Sequence, residues 1–135
     1  MTTVAVDFDG TIAQYEKGFV HPPVEPPTAG ARAALQALKM TYGEVVIFSV
    51  RANRPDGVQS IWDWLKRYDM DKFVDDVTSE KPKAIAYIDD RAVHFNGSWA
   101  SALMQVAALE SKEKLTVILS AQEPNGAEPK KKPRR

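Results

Sequence analysis

Three short stretches of this chain carry side chains suited to phosphoryl and metal chemistry. They are Asp7-Phe8-Asp9-Gly10-Thr11, Ser49-Val50-Arg51 and Asp89-Asp90-Arg91, with Lys81-Pro82-Lys83 just upstream of the last. Each closes a run of apolar residues, so four carboxylates, a hydroxyl and at least one lysine converge if the ends of those runs meet. Four carboxylates in one small cleft repel one another, which raises their pKa values or opens the site. A hard divalent cation with oxygen ligands resolves that conflict, and Mg²⁺ suits a few carboxylates plus a phosphate. Asp7 and Asp9 are two apart and point to the same side unless the chain turns at Gly10. One such carboxylate can attack a phosphoryl group while the other handles a proton.

The elements that must position these residues alternate between strand and helix. Thr3–Asp9 reads as a buried strand ended by Gly10, and residues 11–27 as irregular, with Gly18 and four prolines. Thr28 is placed to cap a helix over Ala29–Thr41, with Ala33, Ala34, Leu35, Ala37 and Leu38 as its apolar face and Gly43 as its stop. Glu44–Val50 is a second apolar strand. Asn53 or Asp56 caps a helix to Tyr68 whose Val58, Ile61, Trp62 and Leu65 have inward spacing. Phe73–Val77 is a short strand and Ala84–Asp89 a third buried one. Ser98 opens a helix to about Leu109, with Leu103, Val106 and Ala107 inward and Trp99 packing it onto the sheet. Leu115–Leu119 is a last strand.

Apolar strands separated by amphipathic helices predict an α/β fold, a Rossmann-like three-layer sandwich with a mostly parallel sheet. In such sheets ligands bind outside the carboxyl ends of the strands, where all three stretches fall. Residues 1–120 read as one domain and residues 121–135, rich in Pro, Gly and charge, as a disordered basic tail.

Composition narrows the classes further. The chain has 135 residues, 44% hydrophobic and 27% charged, so it can bury a core without disulfides or structural metal. It has no Cys, which excludes zinc–thiolate sites and cysteine nucleophiles. Residues 120–135 hold five bases and two acids, net +3, leaving thirteen bases and sixteen acids, net −3, in residues 1–119. No run approaches the roughly 18 apolar residues of a membrane span, and the N-terminus does not read as a signal peptide. A cytoplasmic protein with no membrane contact is the expectation.

DFDGT, a strand ending in Ser, a lysine and an acidic pair together resemble the haloacid dehalogenase (HAD) superfamily, from residue 4 to about residue 99. The resemblance implies an HAD-like fold, Mg²⁺ as cofactor and a phosphorylated substrate. It makes Asp7 the nucleophile that forms an aspartyl-phosphate. Asp9 becomes the general acid and base, and Ser49 the hydroxyl that binds the phosphoryl group. Asp7, Asp9 (through its carbonyl), Asp89 and Asp90 become the metal ligands, with Thr11 at the turn as a substrate contact. Lys81 or Lys83 neutralises the phosphoryl charge, and the Lys-Pro pair favours Lys81. An Asp at position 9 points to a phosphatase or a phosphomutase. Residues 11–27 and 52–80 lack room for a cap domain, which implies a capless phosphatase.

Ser-x-Arg with Ile-Asp-Asp-Arg is similar to the 3′-phosphatase domain of polynucleotide kinase/phosphatase enzymes. That likeness gives Arg51 and Arg91 substrate phosphates to bind. His21 and His94 read as packing or surface residues, while Tyr15 and Phe19 could touch substrate. The expected function is a Mg²⁺-dependent phosphomonoester hydrolase acting on nucleotides or nucleic-acid 3′-phosphate ends. Alternatives are a small-metabolite phosphatase and a nonhydrolytic module that reaches nucleic acid through its basic tail. A homo-oligomer stays open.

Overall fold

The computed structural model describes residues 2–121, of which residues 115–121 are described by their backbone alone. The chain divides into two compact units, one up to Asp90 and one from Arg91 onward.

The first unit is α/β. Its strands are β1 (Thr2–Val6), β2 (Gly43–Phe48), β3 (Asp76–Thr78) and β4 (Ala86–Ile88), all parallel, in the order β3-β2-β1-β4. Helix α1 (Ala31–Tyr42) links β1 to β2, and α2 (Gly57–Arg67) links β2 to β3. Alternate residues of a strand share a face. Val4, Val6 and Phe8 accordingly join Val45, Ile47 and Val77 in one buried cluster with Leu35 of α1 and Ile61, Trp64 and Leu65 of α2. Each large apolar side chain buried there contributes about 1.5–3 kcal/mol.

Helix α1 starts two residues later than its cap pattern predicts. Gly30, at φ 82°, occupies the cap position, while the Thr28 hydroxyl donates instead to the Thr11 carbonyl at 2.6 Å. Leu35 is buried and Leu38 partly so, but Ala33, Ala34 and Ala37 are exposed. Gly43, at φ 95°, ends the helix as predicted. In α2 the core tryptophan is Trp64, not Trp62. Trp64 lies 4.9 Å from both Phe8 and Tyr68, Trp62 stays at the margin, and Val58 is exposed. The buried stripe is Gly57, Ser60, Ile61, Trp64 and Leu65. Two of its members are not hydrophobic, which displaced the apolar spacing by one residue.

Strand β4, read as buried, is a three-residue edge strand whose residues are all exposed. In the second unit the strand expected at Leu115–Leu119 is helix: α3 runs unbroken over Trp99–Ala121. No Gly or Pro interrupts that span, and Glu110 and Lys114 pair at 2.8 Å across one turn. Trp99 is 72% exposed against Phe95, and Leu103, Val106 and Ala107 are exposed, so none is the inward residue its spacing suggested. Apolar residues surround this helix, and their spacing singles out no face. Among the described residues no helix is long and apolar enough to cross a membrane. The basic tail lies outside the described residues.

Asp75 ties three elements of the first unit together. It accepts from Lys39 Nζ at 2.6 Å and from the Val45 N–H at 2.8 Å. Burial opposes its ionisation, yet the hydrogen bonds from Lys39 and Val45 prevail and hold the carboxyl below the usual range. A depressed folded pKa stabilises above the unfolded value of about 3.9 and loses that stabilisation as pH falls through the folded value. Asp75→Asn should therefore lower stability at pH 7 by about 1 kcal/mol. In denaturant titrations at stepped pH, the gap between variant and wild type should close below about pH 4.

Candidate functional site

From β1 through β3 the chain builds the sheet in one direction; β4 then returns to the other side of β1. The order thus reverses between β1 and β4, and the crevice at their carboxyl ends is where open α/β sheets bind ligands. Asp7 directly follows β1, and its N–H extends the ladder to Ile88 O at 2.8 Å. Asp89 and Asp90 directly follow β4. Carboxylate oxygens of Asp7, Asp89 and Asp90 lie within 4.8 Å of one another. That span approaches twice the metal–oxygen distance of about 2.0–2.6 Å for hard divalent cations. Asp7 is buried, Asp90 half-buried and Asp89 exposed, so the cluster faces solvent on one side. Three carboxylates make an all-oxygen donor set of the kind that holds a hard divalent cation.

Asp9 does not join this cluster through its side chain. After β1 the Phe8 carbonyl accepts the N–H groups of Thr11, Ile12 and Ala13, and Gly10 takes φ 80°. This tight turn aims the Asp9 carboxylate at Arg51: Nη2 donates to Oδ1 at 2.7 Å and Nε to Oδ2 at 3.1 Å. Both side chains are buried, at 7% and 2% exposure. The Thr11 hydroxyl is engaged within the site. It donates to Asp7 Oδ2 at 3.3 Å and accepts from the Asp90 N–H at 3.1 Å, fastening the loop after β1 to the loop after β4.

Ser49 follows β2 at the same sheet edge and is buried, its Oγ accepting from the Arg51 N–H at 3.2 Å. Arg51 belongs to the short helical turn Val50–Asn53. The rim cation expected at Arg51 is therefore an internal one. Besides Asp9 it bonds the Val20 carbonyl at 2.7 Å, and its guanidinium lies 4.4 Å from the Phe19 ring centre. Lys81 lies 4.7 Å from the ring centre of Tyr87 on β4, and Lys83 is exposed. In the second unit Arg91 pairs with Glu113 at 2.7 Å, and His94 is exposed.

Residues 15–27 form a flap held to the first unit by polar contacts. Trp64 Nε1 donates to Glu25 O at 2.8 Å, and His21 Nε2 meets both Asp56 oxygens at 2.8 and 2.9 Å. The hydrogen bond with His21 lowers the Asp56 pKa. Sequence spacing missed this role of His21. It also missed Gly57, where a Cβ would meet the Arg51 carbonyl at 1.9 Å. A small residue just inside a helix start, six positions after Arg51, was the available signal.

No family model and no curated protein matches the chain. Among solved structures it is similar to a conserved protein of Bacteroides thetaiotaomicron, at 23% identity over 82% of this chain and 91% of that one, with a TM-score of 0.54. That likeness shows the α/β fold alone.

Mg²⁺ titrations followed by thermal unfolding should raise the wild-type Tm, since binding at a hundred times Kd adds about 2.7 kcal/mol. Asp7→Ala and Asp89→Ala should abolish the rise and Asp90→Ala reduce it; curves that overlay wild type would place any metal elsewhere. Gly57→Ala should destabilise the protein by about 2 kcal/mol or more, because the backbone at Arg51 must shift, and chemical denaturation would measure the loss.

Proposed function

We propose that this chain is a Mg²⁺-dependent phosphomonoester hydrolase of capless HAD type, working through an aspartyl-phosphate. The reading rests on one observation: the carboxylates of Asp7, Asp89 and Asp90 meet within 4.8 Å, at strand ends that flank the reversal of the sheet. Mg²⁺ held by these three would supply positive charge against the phosphoryl oxygens.

An Asp7 oxygen attacks phosphorus, and Asp9, once protonated on a lone pair that the Arg51 fork leaves free, gives that proton to the departing ester oxygen. Asp7 then carries the phosphoryl group. Asp9 next removes a proton from water, whose oxygen attacks phosphorus, releasing inorganic phosphate and restoring Asp7. Thr11 keeps Asp7 oriented, while the Ser49 hydroxyl and Lys81 are assigned to the phosphoryl oxygens. Asp9 can take up a proton while bonded to Arg51, because a carboxylate offers about four lone-pair sites and the fork fills two; in the first step it acts from that protonated form, and in the second it regains the proton from water.

The substrate we favour is a small phosphomonoester, a nucleotide or another metabolite, over a polynucleotide end. Arg51 and Arg91, to which the likeness to polynucleotide 3′-phosphatases assigned substrate phosphates, are each ion-paired within the protein.

Release of phosphate from p-nitrophenyl phosphate with Mg²⁺ and with chelator tests the reading. Asp7→Asn should lower turnover by about 10³-fold or more at unchanged Tm. Turnover within tenfold of wild type would remove Asp7 as nucleophile. Faster release from a 3′-phosphorylated oligonucleotide than from mononucleotides and sugar phosphates would reverse the substrate assignment.

A further inference from the structure

Arg51 holds two things at once. Its Nε and Nη2 fork onto Asp9, and its Nη1 donates to the Val20 carbonyl in the flap. The guanidinium plane also lies 4.4 Å from the Phe19 ring centre and 5.6 Å from that of Phe8. Phe19 is gripped again by Arg54, at 5.3 Å, and stacks on His21, whose imidazole bonds Asp56. Every one of these anchors comes from residues 51–56, directly after Ser49. The flap is therefore docked on the segment that orients Asp9, and the two share one guanidinium.

We propose that Arg51 is a positioning residue that couples docking of the flap to the orientation of Asp9. Resting on the phosphatase reading, this makes the flap part of the proton-transfer apparatus, although none of its side chains takes part in the chemistry. With Phe19 and Val20 in place, a planar fork has one orientation open to it, and the Asp9 carboxylate follows. If the flap loosens, the guanidinium loses its Val20 acceptor and its aromatic face, and Asp9 loses its fixed rotamer. Lysine cannot substitute, because a point charge on a flexible stem fixes no carboxylate plane. Coupling of this kind is reciprocal: whatever disturbs Asp9 loosens the flap.

Leaving-group dependence tests the proposal. A general acid matters most where the departing oxygen needs a proton and contributes about 10²–10⁴-fold there. Phe19→Ala, Arg51→Gln and Arg51→Lys should each lower kcat/KM for an alkyl phosphate about tenfold or more. Each should change kcat/KM for p-nitrophenyl phosphate, which reports formation of the aspartyl-phosphate, less than about threefold. Adding Arg51→Gln to Asp9→Asn should bring no further loss of the leaving-group effect. A purely structural role would lower kcat/KM for both esters equally, and so overturns the proposal. So does a raised KM for both esters with the leaving-group dependence intact, which would make Arg51 a substrate-binding cation.

Coupling is also readable without turnover. In limited trypsin digestion well below Tm, cleavage after the exposed Lys17 should be about tenfold faster in Asp9→Asn than in wild type. Equal cleavage rates overturn the coupling. If wild-type protein hydrolyses neither ester, the phosphatase reading fails and the digestion alone decides the coupling.

Discussion

A guanidinium and a carboxylate buried together set demanding terms for everything around them. Removing two charges from water carries a penalty of several kcal/mol per ion, recovered only when the geometry is good and every remaining donor is satisfied. The Arg51–Asp9 pair meets those terms through its surroundings. The turn at Gly10 aims Asp9, and the Ser49–Asn53 turn delivers Arg51. Val20 takes the nitrogen that Asp9 leaves over, and Phe8 and Phe19 flank the guanidinium. Gly57 lets α2 begin hard against the Arg51 carbonyl. Truncating either partner would strand the other charge, a loss of about 3–5 kcal/mol in comparable buried pairs.

That pair also resolves the crowding of four acids near one sheet edge. Three carboxylates gather where a divalent cation would neutralise them, and the fourth is matched by an arginine. The turn after Phe8 makes the division. Had the chain stayed extended through Gly10, Asp7 and Asp9 would point the same way and compete for the same countercharge. Two acids two residues apart are thereby placed in different electrostatic settings.

Much of this arrangement was legible in the residues, because strand ends follow from apolar runs and their punctuation. Asp7, Asp89 and Asp90 could be assigned to one edge before any contact was known, since parallel strands deliver their carboxyl ends together. The facing of α2 was not legible, as Gly57 and Ser60 occupy buried positions where a count of apolar residues expects none. Nor was the direction of Arg51, because spacing cannot tell a rim cation from one folded back onto Asp9. The helix through residue 121 defeated the strand reading of Leu115–Leu119 for another reason. A short run of β-branched residues carries no boundary of its own, and nothing before it breaks the helix.

The flap shows how few contacts suffice to place a loop when one of them is shared with the core. Its pairing of His21 with Asp56 is only partly sheltered, with the carboxylate 70% exposed, and exposed ion pairs contribute about 0–1 kcal/mol. The bond from Trp64 to Glu25 O fixes the far end of the flap to a fully packed core residue. Just before His21, Phe19 and Val20 dock on Arg51, whose position the buried carboxylate already determines. The flap is thus positioned by the same charge pair that fixes the Asp9 carboxylate, so one buried contact places both a surface loop and a side chain of the candidate site.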